Sequence, residues 1–494
     1  MKVFKRSVLI IFLCFFAAGA YISYSSGCLQ DVQDKKVTGS NDTRNKYIIK
    51  VDYDRSKQTA RASETITFLN SQKSPLNDIA IHLFANAYKN EASVPVIGSI
   101  TNNFPNGFNP GYIKVSNVKV DGREVKYSID SMIMDIKLNE PVKPGSSVSI
   151  GMDFELKIPV AKTRFGSYEG VTQFVYWYPI LAVYDGGWQV RQYNRIGESN
   201  YSDAADYDVS ITLPADEKVA ATGDNMSEDI GAAHKSGYKT VKLSASGVRD
   251  FAWVCSKDFI VEETVTEGIR IKSYYLKKNE KTGSNADDYT ARVLNYYNSI
   301  FGKYPYSTLS VVDTYLYGGG MEYPQLISLG QSLYESDQTL EHGIAHEVAH
   351  QWWYVAVGSD EYKNPWLDEG MAQYSAELYT AKYSADKQYL GKVMEGYRAG
   401  WKKDMPVTSP VNKFAQWNQY STVSYKMGAA ALDRLRSDIG DEKFFKVMST
   451  YYQRYKFKNA DTKAFVQVIS DIAGNREAES FTGLLNAGAQ APQE

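Results

Sequence analysis

The stretch that most constrains this chain runs from Thr339 to Glu369 and contains His346-Glu347-Val348-Ala349-His350. Residues four apart share one face of a helix, so the two imidazoles can meet at one ion. With only 5 His among 494 residues, composition does not readily supply such a pair around a Glu. The flanking sequence is helical. Ser336 or Asp337 can cap the start, and Ile344, Ala345, Val348, Ala349 and Trp352 form a helix-spaced apolar face. A catalytic zinc takes three protein ligands and keeps a fourth position for water, so a third ligand is required. Glu347, next to His346, can face that water as a general base. His342 is also four residues from His346, but no Glu follows it, and it stays outside the metal set. The plain alternative is a buried helix with two hydrogen-bonded core histidines.

The third ligand is expected in the next helix. Asn364-Pro365 reads as a cap followed by proline at the first helical position, and the helix continues through WLDEGMAQYSAELYTAKY. Glu369 falls in its first turns. The 18 residues 351–368 allow the first helix to end, a loop around Gly358–Asn364 to reverse the chain, and the second helix to return a carboxylate. Upstream, the strand-like TLSVVDTYLY feeds into Gly318-Gly319-Gly320, where missing side chains let another backbone approach, as an extended peptide does on joining a sheet edge.

The H-E-x-x-H pattern followed by Glu369 in Trp366-Leu367-Asp368-Glu369-Gly370 resembles the gluzincin metallopeptidases of the M1 aminopeptidase family. Gly319-Gly320-Met321-Glu322-Tyr323 is similar to that family's Gly-Ala-Met-Glu-Asn motif. Tyr425 in SYKMGAAAL resembles its Tyr-x-x-Gly-Ala segment. The resemblance spans roughly 46–485. It implies peptides as substrates and one Zn²⁺ per chain on His346, His350 and Glu369, with Glu347 as base. It further implies that Tyr425 donates a hydrogen bond to the oxyanion and that Glu322 binds the substrate α-ammonium, with Gly319, Gly320 and Met321 in the binding strand. Three residues depart from the family pattern. Tyr323 replaces its Asn, Met427 replaces a common Lys, and Val175 stands where a second amine-binding Gln or Glu aligns, leaving Gln173 as the substitute. These departures keep a broader endopeptidase reading open beside the aminopeptidase. A non-catalytic surface protein on the same scaffold is a further alternative.

Along the chain, Lys2, Lys5 and Arg6 precede an apolar run from Ser7 to Ile22, the pattern of an export segment over 1–28. Cys28 after Ser25-Ser26-Gly27 resembles a lipobox. Cleavage after Ala18-Gly19-Ala20 and retention as a signal anchor are the alternatives. Membrane association through this segment or a lipid on Cys28, on the outer face of a bacterial cell membrane, is the expected location. Residues 29–45 read as a polar linker. Alternating apolar runs punctuated by Gly, Pro, Asn and Asp then predict an antiparallel β domain over 46–257. His82 and His234 lie far from the motif and read as structural or exposed. Cys255, in FAWVC, reads as a buried thiol.

Mixed strand and helix patterns cover 258–485, before a polar tail at 486–494. The fold class expected is α+β and multidomain, with the β domain followed by a thermolysin-like α/β catalytic domain. The 69 residues 426–494 leave no room for the further domains of larger family members, so a more open cleft is expected. A net charge of −2 argues against nucleic acid as a partner, and oligomeric state is not legible.

Overall fold

The computed structural model describes residues 44–230, 236–401 and 405–487. The export segment, Cys28, nearly all of the linker, His234 and most of the tail lie outside the described residues. Among the described residues no helix is long and apolar enough to cross a membrane.

Strict alternation in Lys46–Asp54, with Tyr47, Ile49, Val51 and Tyr53 buried, gives a strand that is core on one face only. It sits inside an eight-stranded sheet, antiparallel to Thr59–Leu69 on one side. On its other side it pairs in parallel with Ala205–Pro214, from Lys46 opposite Asp206 onward. The sheet is therefore not wholly antiparallel as expected, because the long excursion through 70–204 returns the chain in the same direction. The segment KTVKLSASGVRDFAWVC also divides. Tyr238–Val248 stays in this sheet, while Trp253–Ser256 joins a four-stranded one with Lys218–Ala221 and Val171–Phe174. The break falls just after Gly247, whose φ of 68° is left-handed.

Buried Arg249 follows the break and reaches into the second half of the molecule. Its Nε donates to Val355 O at 3.0 Å, Nη1 to Asn459 Oδ1 at 2.5 Å and Ser202 O at 2.8 Å, and Nη2 to Lys458 O at 2.7 Å. Gly358 leaves it room, since a Cβ there would lie 2.1 Å from the guanidinium carbon.

The second half has a five-stranded mixed sheet in the order Phe259–Thr266, Ile269–Leu276, Thr308–Thr314, Leu326–Gly330, Gly320–Met321. Helices α1 (Ala286–Ile300), α2 (Asp337–Ala349), α3 (Met371–Tyr383), α4 (Tyr389–Ala399) and α5 (Gly428–Ile439) follow. They share a core with Trp352, Trp353 and Trp366, and Tyr297 on α1 donates to Ala345 O on α2 at 2.8 Å. The glycine-bearing strand Gly320–Met321 is the sheet's edge and contacts α2. Cys255 is buried and free.

Candidate active site

Helix α2 begins at a reciprocal cap. Ser336 Oγ accepts from Thr339 N and Thr339 Oγ1 accepts from Ser336 N, both at 3.2 Å. Ser336 rather than Asp337 is the cap, and His350 closes the helix at its far end. Glu369 does not lie in a regular first turn as predicted. It sits in a π-helical turn, Trp366–Gly370, ahead of α3, and Tyr425 lies in a second one, Ser421–Met427, ahead of α5. The two segments meet at Gly370, the end of the first π turn, and Gly428, the residue just after the second, where a Cβ on either would lie 2.9 Å from the other's Cα. That close approach lets Tyr425 Oη donate to Glu369 Oε1. Wide turns of this kind cluster at functional sites.

The ligand atoms can be tested for a metal. His346 Nε2 and His350 Nε2 are 3.2 Å apart, and Glu369 Oε2 lies 3.4 Å from the first and 3.5 Å from the second. A tetrahedral zinc with bonds near 2.0–2.1 Å needs ligand separations of about 3.3 Å, so the three atoms match that ion. Glu369 Oε2 is buried with no hydrogen-bond partner. Burial alone would raise the Glu369 pKa, but the His346 and His350 imidazoles facing Oε2 outweigh it and hold the carboxyl below its ordinary value. Burial lowers the pKa of His346. His346 and Glu369 thus favour the ligating form, while the Asp368, Glu322 and Glu369 carboxylates raise the pKa of His350, whose proton a metal would displace. His350 Nδ1 contacts Asp368 Oδ1 at 2.5 Å, a carboxylate that sequence reading passed over although it adjoins Glu369. It fixes the ring so that Nε2 faces the ligand point.

Glu347 is buried beside this point. A Cβ on Gly320 would lie 2.4 Å from Glu347 Oε1, so only glycine fits opposite the base. Burial first, then the nearby Glu322 carboxylate, raises the Glu347 pKa well above the ordinary range, which suits a proton acceptor. Gln351, directly after His350, anchors the glycine-rich turn by accepting from Gln325 N and donating to Tyr323 O, both at 3.0 Å.

Gly319, Gly320, Met321 and Glu322 line one cleft of 450 Å³ with His346, Glu347, His350, Glu369 and Tyr425. Glu322 Oε1 is buried without a partner. Gln173 is absent from the cleft lining, and its assignment is corrected. It lies in the fully buried strand Val171–Phe174, with Oε1 accepting from Ser328 Oγ at 2.8 Å and Nε2 donating to Thr163 O at 3.1 Å. Both ends of its amide are committed to the scaffold. Val175 is likewise core, and Tyr323 is buried with its ring edge-on to Tyr176. The N-terminal half instead contributes Glu198, paired with Arg164 at 2.6 Å. Carboxylate oxygens of Glu198, Glu322 and Glu361 lie within 4.8 Å of one another. Sequence reading missed Glu198, whose irregular loop carries no periodic signal.

Two imidazoles from one helix, a carboxylate from the next and a buried glutamate beside them define the gluzincin class of site. Residues 285–483 match the family model for the peptidase family M1 domain. The chain resembles mitochondrial aminopeptidase 2 of Saccharomyces cerevisiae, 28% identical over 250 residues, 47% of this chain and 25% of that protein. It also resembles the alanine/arginine aminopeptidase of that yeast, 27% identical over 252 residues, 47% and 28% of the two chains. The chain thus spans about a quarter of the length of these curated relatives. Its fold is similar to the M1 zinc metallopeptidase of Deinococcus radiodurans, with a TM-score of 0.68, 16% identity and coverage of 91% of this chain and 96% of that one. A mutant of that protein bound to a Tyr-Ser-Ala substrate compares equally, at a TM-score of 0.68 and 17% identity over 91% and 96%. The likeness to peptidase family M1 thus covers residues 285–483.

Proposed function

We propose that this chain is a zinc-dependent aminopeptidase that removes N-terminal residues from peptides outside the cytoplasm. The observation that carries the reading is the triangle of His346, His350 and Glu369 ligand atoms at zinc spacing, with Glu347 beside it and unpartnered Glu322 at one end. The names of both yeast relatives, aminopeptidases, support it. His346, His350 and Glu369 would hold a Zn²⁺, which would supply Lewis acidity at the scissile carbonyl and at the attacking water. Glu347 takes a proton from the attacking water and delivers it to the leaving amine nitrogen. Tyr425 turns its hydroxyl to the developing oxyanion and donates a hydrogen bond there. Glu322, with Glu198 close by, receives the α-ammonium and so sets which carbonyl is attacked. We assign the β domain to 46–257 and the catalytic domain to 258–485.

Aminoacyl-p-nitroanilides and their N-acetylated forms, with and without a zinc chelator, test the reading. Chelator-sensitive cleavage of the free amines alone is the expected result. Equal cleavage of the acetylated forms removes the ammonium anchor and turns the reading towards an endopeptidase. Glu347→Gln is expected to keep its bound zinc by metal analysis and to lose at least about a hundredfold in kcat. The basic residues and apolar run of 1–28 support an outer-face membrane location. Fractionation of cells expressing the full chain tests this, and Cys28→Ala releases the protein if a lipid holds it.

A further inference from the structure

The helix that carries the metal ligands has a third histidine, to which the mechanism gives no task. His342 lies one turn before His346 on α2, about 6 Å along the axis. It lines the cleft with Gln373, Leu333 and Gly343. Glu322 lies at the opposite end, within 4.8 Å of a His350 ring nitrogen. The cleft therefore has a direction. A peptide with its ammonium on Glu322 and its first carbonyl at the ligand point runs its second residue towards His342 and Gln373.

One carboxylate holds both side chains from behind. Glu377 on α3 is only 3% exposed. One of its oxygens accepts from Gln373 Nε2 at 2.7 Å and Tyr397 Oη at 2.8 Å, and faces His342 Nε2 at 3.4 Å. The other accepts from Tyr389 Oη at 2.7 Å. With the Gln373 amide nitrogen committed to Glu377 and to Tyr397 Oη at 3.0 Å, the polar atom this side chain leaves for a ligand is Oε1, an acceptor, with the His342 ring beside it.

We propose that His342 and Gln373 form the subsite for the residue after the cleaved bond, and that it selects a side chain that donates hydrogen bonds: hydroxyl, amide or ammonium. Glu377 is the positioning residue of this subsite. The inference rests on the peptidase reading above. It is tested with Ala-Ser-Ala, Ala-Lys-Ala, Ala-Leu-Ala and alanine p-nitroanilide, on the wild type, His342→Ala and Gln373→Ala. Both positions are half-buried, so the fold tolerates truncation, and melting curves check this. The wild type is expected to favour Ser and Lys over Leu by about tenfold in kcat/KM. Each variant is expected to bring that ratio close to one. A wild type that cleaves the anilide without distinguishing the three tripeptides overturns the subsite alone, as do variants that lower all four rates by one factor. A wild type that cleaves none of the four overturns the peptidase reading and the subsite with it.

Discussion

At the scale of single residues, the site divides into groups that touch the ligand point and groups that aim them. Asp368 is of the second kind: buried, and bonded to the far nitrogen of His350. Asp368→Ala is expected to weaken zinc binding about 10–100-fold, read by competition with a chromogenic chelator, while the helix content stays the same. His346, His350 and Glu347 were legible in the sequence because a spacing of four is the one-dimensional image of a helix face. Glu198 and Asp368 were not, since each depends on where a loop or a π turn lands in three dimensions. Gln173 was misread for a related reason. Val171–Phe174 is buried at every position, so the strand carries no alternation to say which side faces a cleft.

At the scale of elements, the site depends on two π turns pressed together. Sequence pattern located α3 but not the widened turns, because a π turn follows from contact with a partner rather than from local pattern. Gly370 and Gly428 are that contact, and they explain why glycine follows Glu369 directly and Tyr425 at three residues. Gly428→Ala forces the turns apart and is expected to cost about 1–3 kcal/mol of stability, as overpacking does. It also moves Tyr425 away from Glu369. Thermal melting reads the first effect, and kcat on a free-amine anilide falls more than KM changes if the second holds.

At the scale of the whole molecule, burial of ionisable groups gives the fold a pH dependence that begins outside the active site. His82 stacks on Phe84 with ring centroids 4.5 Å apart and accepts from Arg191 N at 3.3 Å. Burial, reinforced by the Arg191 charge, lowers its pKa from 6.5 to about 3. The unfolded chain therefore takes up a proton that the folded one refuses, so stability falls as pH drops from about 6.5 towards 3, by up to about 1.4 kcal/mol per pH unit. His82→Phe is expected to flatten that part of the curve, measured as urea midpoints at pH 7, 6 and 5. The sequence placed His82 in a strand away from the motif and left it structural or exposed, and its burial decides between the two. Arg249 carries the same logic across the molecule. It leaves the end of a sheet strand and satisfies backbone carbonyls of Val355, shortly after α2, and of Lys458, beyond α5. A fragment starting after residue 257 would leave those acceptors with no donor and the apolar side of its own sheet bare. The catalytic half is therefore not a portable cassette, and any engineering that transplants this chemistry has to carry the β scaffold with it.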